Sequence, residues 1–152
     1  MNKYLKAIEI INNKTDELVE CIEDTLIERL RTKANRCWIG GYEICVDIET
    51  EEFEAVQFQE WECNENLVTL LVIDDDFADL GDELNYFRDA LYDLGIEFDE
   101  RLTDRQLEEL FADDYAEFVD CLIADVIRNL DAELYIIPDI IEQLEEEASL
   151  YD

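Results

Sequence analysis

Tyr42-Glu43-Ile44-Cys45-Val46-Asp47-Ile48-Glu49 decides the fold class. Apolar Tyr42, Ile44, Val46 and Ile48 alternate with Glu43, Cys45, Asp47 and Glu49, and a period of two puts the two sets on opposite faces of a half-buried strand. Gly40-Gly41 breaks the chain just before it. Two further apolar runs, Phe53 to Trp61 and Leu67 to Ile73, are set off by the polar turns Glu49-Thr50-Glu51-Glu52 and Glu62-Cys63-Asn64-Glu65-Asn66. Strands joined by such short connections predict an antiparallel β-meander over residues 37–73. Its outward face would carry Glu43, Asp47, Glu49, Glu54 and Glu60.

On both sides of this segment the apolar period is helical. Upstream, Lys3 to Asn35 reads as helix with a break at Asn12-Asn13, where Asn13 or Thr15 would cap the second part. There Leu18, Val19, Ile22, Leu26, Ile27 and Leu30 form one stripe. Downstream, Phe77, Leu80, Leu84, Phe87, Leu91 and Leu94 predict a helix closed by Gly95 as its C-cap. Thr103-Asp104-Arg105-Gln106 fits a capping box opening a helix to about Leu110. Asp113 to about Asp131 follows, with Tyr115, Phe118, Val119, Leu122, Ile123, Val126, Ile127 and Leu130 on its apolar side. Pro138 opens a last helix to about Leu150. The expectation is one α+β domain: an N-terminal helix, a three-stranded antiparallel sheet, then three to four acidic helices on one sheet face.

Charge divides the same chain differently. Of 11 Lys and Arg and 43 Asp and Glu, seven of each lie in residues 1–36, so the net charge of −32 falls wholly on the remainder. Highly charged chains lacking apolar residues stay unfolded, but 49% hydrophobic and 11% aromatic residues, with four Gly and one Pro, predict a folded domain. The domain is then organised as a neutral helical segment (1–36), the sheet (37–73) and an acidic helical segment (74–152). The neutral helix reads as a structural spine or a contact surface for a homodimer.

No apolar run approaches the ~20 residues of a membrane span, and Met1-Asn2-Lys3-Tyr4 lacks the apolar block of a signal peptide. Cysteines at 21, 37, 45, 63 and 121 include no C-x-x-C pair, which suits a reducing compartment. The expected location is therefore cytoplasmic. Cys21 and Cys121, set among apolar helical residues, read as core thiols.

Little in the chain suggests chemistry. The absence of histidine removes the commonest general base, the Ser-His-Asp and Cys-His arrangements and imidazole metal sites. Neither phosphate-loop pattern occurs. A calcium loop begun at Asp74 meets Asp79 and Asn85 where Gly and Glu belong, and one begun at Asp76 meets Ala78, Leu80 and Phe87 at ligand positions. The expectation is a protein that is not an enzyme and carries no cofactor or metal.

What remains is the acidic surface. Asp76, Asp79, Asp82, Glu83, Asp89 and Asp93 fall opposite one apolar stripe; Asp113, Asp114, Glu117, Asp120 and Asp125 do so on the next helix, and Glu142, Glu145 and Glu146 on the last. With Asp74 and Asp75, the residues Asp76, Asp79, Asp82, Glu83, Asp89, Asp93, Asp113, Asp114, Glu117 and Asp120 are the candidate partner-binding set. Tyr86, Tyr92 and Tyr115 are candidate exposed aromatic contacts. Like charges three or four residues apart cost a few tenths of a kcal/mol per pair, and an ordinary solvated helix would relieve that with lysines. Duplex DNA carries one charge per ~1.7 Å, so thirty-two charges match roughly 54 Å of duplex, comparable with the ~40 Å diameter of a domain this long.

The acid-rich, aromatic-interspersed helices, such as Asp82-Glu83-Leu84-Asn85-Tyr86-Phe87 and Asp113-Asp114-Tyr115-Ala116-Glu117-Phe118, and the run Glu145-Glu146-Glu147 resemble bacteriophage DNA-mimic anti-defence proteins. These include anti-CRISPR and antirestriction proteins. The resemblance is one of composition and patterning and covers roughly residues 43–152. It implies an inhibitor that occupies the basic nucleic-acid channel of a host defence complex, a CRISPR effector ahead of a restriction enzyme. The partner would be that basic protein rather than nucleic acid or membrane. Two other readings use the same charge: an immunity protein plugging a nuclease toxin, and an acidic chaperone or adaptor for basic proteins. An acidic surface without a specific partner is the plain alternative.

Overall fold

A computed structural model describes residues 2–35, 40–57, 65–74, 76–78 and 80–150. The chain runs α1 (Lys3–Asn13), α2 (Thr15–Ala34), β1 (Tyr42–Asp47), β2 (Phe53–Gln57), β3 (Leu67–Ile73), α3 (Phe87–Asp93), α4 (Asp104–Leu110), α5 (Ala112–Leu130) and α6 (Ile137–Leu150). A 3₁₀ turn, Gly81–Tyr86, leads into α3, and a π-helical turn, Ala132–Ile136, leads into α6. This is the expected α+β class, with the helices flanking a three-stranded antiparallel sheet.

The break between α1 and α2 falls at Lys14, one residue beyond the expected asparagine pair. Neither Asn13 nor Thr15 caps α2: the Thr15 hydroxyl donates back to the Ile11 carbonyl at 2.9 Å, and Lys14 holds the N-cap position without a side-chain bond. What fixes this corner is the β1–β2 turn. Lys14 Nζ donates to the Glu51 carbonyl at 3.0 Å, and Lys6 Nζ lies 3.2 Å from the Glu51 carboxylate. Glu51 itself is left-handed at φ 63°. Asp47, expected as a surface acid, instead builds that turn by accepting the N–H groups of Glu49 and Thr50 at 2.8 and 3.1 Å.

The sheet is antiparallel, but its order is β2-β1-β3 and not that of a meander. β1 takes the centre, with Tyr42, Ile44, Cys45 and Val46 all buried and Glu43 and Asp47 half-buried. β2, with exposed Glu54 and Ala55, suits an edge. β2 is described as far as Gln57; the expected extension to Trp61, and Glu60 with it, lies outside the described residues.

One hydrophobic cluster unites the two ends of the chain. Leu18, Ile22, Leu26 and Leu30 of α2 are fully buried against Ile44 and Val46 of β1, Val68 and Ile73 of β3, Val119 and Ile123 of α5, and Ile140 and Leu144 of α6. Each such side chain contributes about 1.5–3 kcal/mol by leaving water. The neutral α2 is thus a spine whose apolar stripe is covered within its own chain.

The longest departure from expectation is at residues 77–86, where no α-helix forms among the described residues. Asp74 Oδ1 accepts the N–H groups of Asp76 and Phe77 at 3.0 and 3.2 Å, giving the backbone a local alternative to helix. Buried Arg29 reaches the Ala78 carbonyl at 3.5 Å and holds the segment against α2. Helix resumes only as the 3₁₀ turn and α3. Gly95, at φ 73°, ends α3 as expected: its N–H meets the Tyr92 carbonyl and the Ile96 N–H meets the Leu91 carbonyl, both at 3.0 Å. The capping box at Thr103 and Gln106 is present with both bonds. Pro138 lies one residue inside α6, after the π turn whose Ile137 N–H bonds to the Ala132 carbonyl. Asp131, left-handed at φ 39°, separates that turn from α5.

Candidate functional site: an unpaired acidic ridge

The orientation of α5 is set from its inner face. Tyr115, Val119 and Ile123 are buried, and the Tyr115 hydroxyl donates at 2.7 Å to the Ala34 carbonyl at the end of α2. Phe87 of α3 meets Tyr115 edge-on with centroids 5.0 Å apart, and lies 5.5 Å from Phe118. Tyr115 is therefore a core residue and not the exposed contact expected; Tyr86 and Tyr92, at 57% and 50% exposure, are surface residues.

This packing turns the opposite side of α5 to solvent. Asp113, Glu117 and Asp120 are exposed and Asp114 is half-buried. At 3.6 residues per turn, Asp113, Glu117 and Asp120 fall within an arc of about 60°. Asp120 is paired with Arg31 of α2 at 3.0 Å, and Asp125 lies 3.5 Å from Arg128. Asp113, Asp114 and Glu117 make no ion pair among the described residues. They place three carboxylates over about 6 Å of helix axis, close to the ~3.4 Å per charge of one DNA strand. Asp113 and Asp114 also lie in the first turn of α5, where the helix dipole stabilises negative charge.

The few cations explain why this ridge is left bare, because those beyond residue 36 are engaged with their neighbours. Arg88 donates to the Leu102 carbonyl at 2.6 Å and to Asp104 at 3.2 Å, over the ring of Phe98. Arg101 holds Asp99 at 3.1 Å, which pulls that carboxyl below its ordinary range. Arg105 pairs with Glu109 at 3.6 Å. Tyr92 donates to Glu100 at 3.0 Å, and that bond pushes its hydroxyl pKa up.

The other candidate acids do not gather into one surface with α5. Asp74 is spent on its turn, and the single helical face expected for residues 76–93 does not exist, because that segment is loop, 3₁₀ turn and short helix in succession. Asp76, Glu83, Asp89 and Asp93 are exposed on those separate pieces. Asp75 and Asp79 lie outside the described residues, as does the side chain of Asp82. A second bare set is on α6, where Asp139, Glu142, Glu145, Glu146 and Glu147 are exposed without ion pairs among the described residues. Of these, Asp139 is absent from the expected set, though the helical period places it beside Glu142 and Glu146.

Cys121 is exposed, contrary to its reading as a core thiol, while Cys21 is half-buried and Cys45 is buried. Leu110 and Leu94, expected on apolar stripes, are 63% and 66% exposed because each stands at the end of a short helix. Among the described residues no three acidic or sulfur side chains converge as metal ligands, and no helix is long and apolar enough to cross a membrane. Comparison with protein-family models, curated proteins and solved structures finds no match to this chain.

Proposed function

We propose that this protein is a DNA-mimic inhibitor that occupies the basic nucleic-acid channel of a bacterial defence complex, with a CRISPR effector preferred over a restriction enzyme. The observation that carries the reading is the ridge of Asp113, Asp114 and Glu117, held rigidly by the aromatic packing beneath it and left without cations. Preorganised charge of one sign steers a basic partner and raises its association rate. Without base edges or a scissile phosphate, such a surface blocks the channel it enters.

The test is competition on purified guide-loaded CRISPR effectors and restriction endonucleases, measuring duplex binding as the protein is titrated in. Loss of DNA binding by one of them, relieved when Asp113, Asp114 and Glu117 are changed to Lys with the fold retained, supports the reading. Unchanged DNA binding across the set, or inhibition that survives the charge reversal, sinks it.

A further inference from the structure

The topology leaves one strand edge that the acidic ridge does not involve. Because the order is β2-β1-β3, β3 is an edge strand, and among the described residues nothing pairs with its outer side. Edge strands are ordinarily blunted with charges or proline, and β2 carries Glu54. β3 reads Leu-Val-Thr-Leu-Leu-Val-Ile, with no charge, Pro or Gly. Its register against β1 skips Leu70 in a bulge, which limits the regular edge to Leu67–Thr69.

That stretch forms one wall of a groove of about 490 Å³, within the range of ligand clefts. The opposite wall is α6, presenting Gln143, Glu146 and Glu147, with Lys3 and Tyr4 of α1 also lining it. Val68, Leu70, Ile140 and Leu144, themselves buried, lie at its base, and its exposed lining is mainly polar. A strand edge facing a helix across an elongated groove is the geometry in which an extended peptide adds to a sheet. Its main chain continues the ladder and its alternate side chains face the helix. Three residues of edge accommodate a strand of about 10 Å.

We infer that this groove is a β-addition site for an extended basic peptide segment. The charge of the occupant follows from Glu146 and Glu147, which make no ion pair among the described residues. A second copy of this chain is disfavoured there, since each copy carries −32. The inference stands apart from the α5 ridge and survives or fails without it.

The probe is acetyl-Lys-Val-Lys-Val-Lys-Val-amide titrated into the isotope-labelled full chain and followed by NMR and amide exchange. Its control replaces each Val by Pro, keeping the charge but removing alternate N–H donors. Perturbations centred on Leu67–Leu70 and Gln143–Glu147, slowed exchange along Leu67–Thr69, and at least about tenfold weaker binding of the proline peptide are expected, the equivalent of one or two main-chain hydrogen bonds. Glu146→Lys with Glu147→Lys should weaken the valine peptide severalfold, and Asp113→Lys with Glu117→Lys should not. Equal binding of the two peptides, no binding, or perturbations centred on α5 overturns the inference. So does pairing of β3 with a second copy.

Discussion

Replacing Tyr115 by Phe removes one oxygen and leaves the ring. That hydroxyl is buried and donates to the Ala34 carbonyl at 2.7 Å, while Ala34 is 1% exposed. Ala34 ends α2, and the last carbonyls of a helix have no partner within it. The substitution therefore strands a buried acceptor, at a cost of about 1–3 kcal/mol. For a chain of this length each kcal/mol lowers Tm by about 2–4 °C, which predicts a fall of about 2–12 °C. Urea unfolding monitored by far-UV circular dichroism should give a lower midpoint with the slope unchanged. Tyr115→Ala, which also removes the ring packed on Phe87 at 5.0 Å, should cost about 3–5 kcal/mol. A Tyr115→Phe protein as stable as the parent but weakened in partner binding would refute the assignment of Tyr115 to the core and restore it as a surface contact.

Arg88→Ala should loosen residues 95–103 by removing the donors to the Leu102 carbonyl and Asp104, a loss of about 1.5–3 kcal/mol; amide exchange there should quicken while α2 is unaffected, and uniform protection would contradict it. Raising monovalent salt from about 0.01 M to 0.1 M shortens the screening length from about 30 to 10 Å. The like-charged pairs of α3, α5 and α6 each cost about 0.2–0.5 kcal/mol, so Tm should climb by several degrees, and a flat salt profile would show that they do not repel. In native alkylation read by peptide mass spectrometry, of Cys21, Cys45 and Cys121 the last should label first and Cys45 slowest. Burial pushes the Cys21 and Cys45 thiols up. Their contribution to stability is present below the ordinary thiol range and is lost as pH rises through it, because the unfolded chain ionises first. A Cys45→Ala, Cys21→Ala protein should lose less stability over that interval than the parent, and identical slopes would refute the linkage.

Elements whose period is unbroken and whose ends carry their own chemistry were readable directly. The Thr103 capping box and the Gly95 terminus rest on contacts between residues close in sequence, and the α2 stripe and the span of β3 on an apolar period written within the segment itself. The expected helix over residues 77–94 forms only at 87–93; ahead of it Asp74 closes a local turn and Arg29, 49 residues away, tethers the Ala78 carbonyl.

The sequence by itself determined the class of the fold and the sign and segregation of the charge, because periodicity and composition are local sums. Tertiary structure alone decided that β1 is central, that the Tyr115 hydroxyl meets the Ala34 carbonyl, that Arg31 neutralises Asp120, and that Asp113, Asp114 and Glu117 are left bare. Each depends on which distant segment fills the space beside a residue. A hydrophobic period says that a face will be covered, but the partner covering it is chosen by packing the whole chain. A carboxylate count cannot say which acid meets one of the few cations.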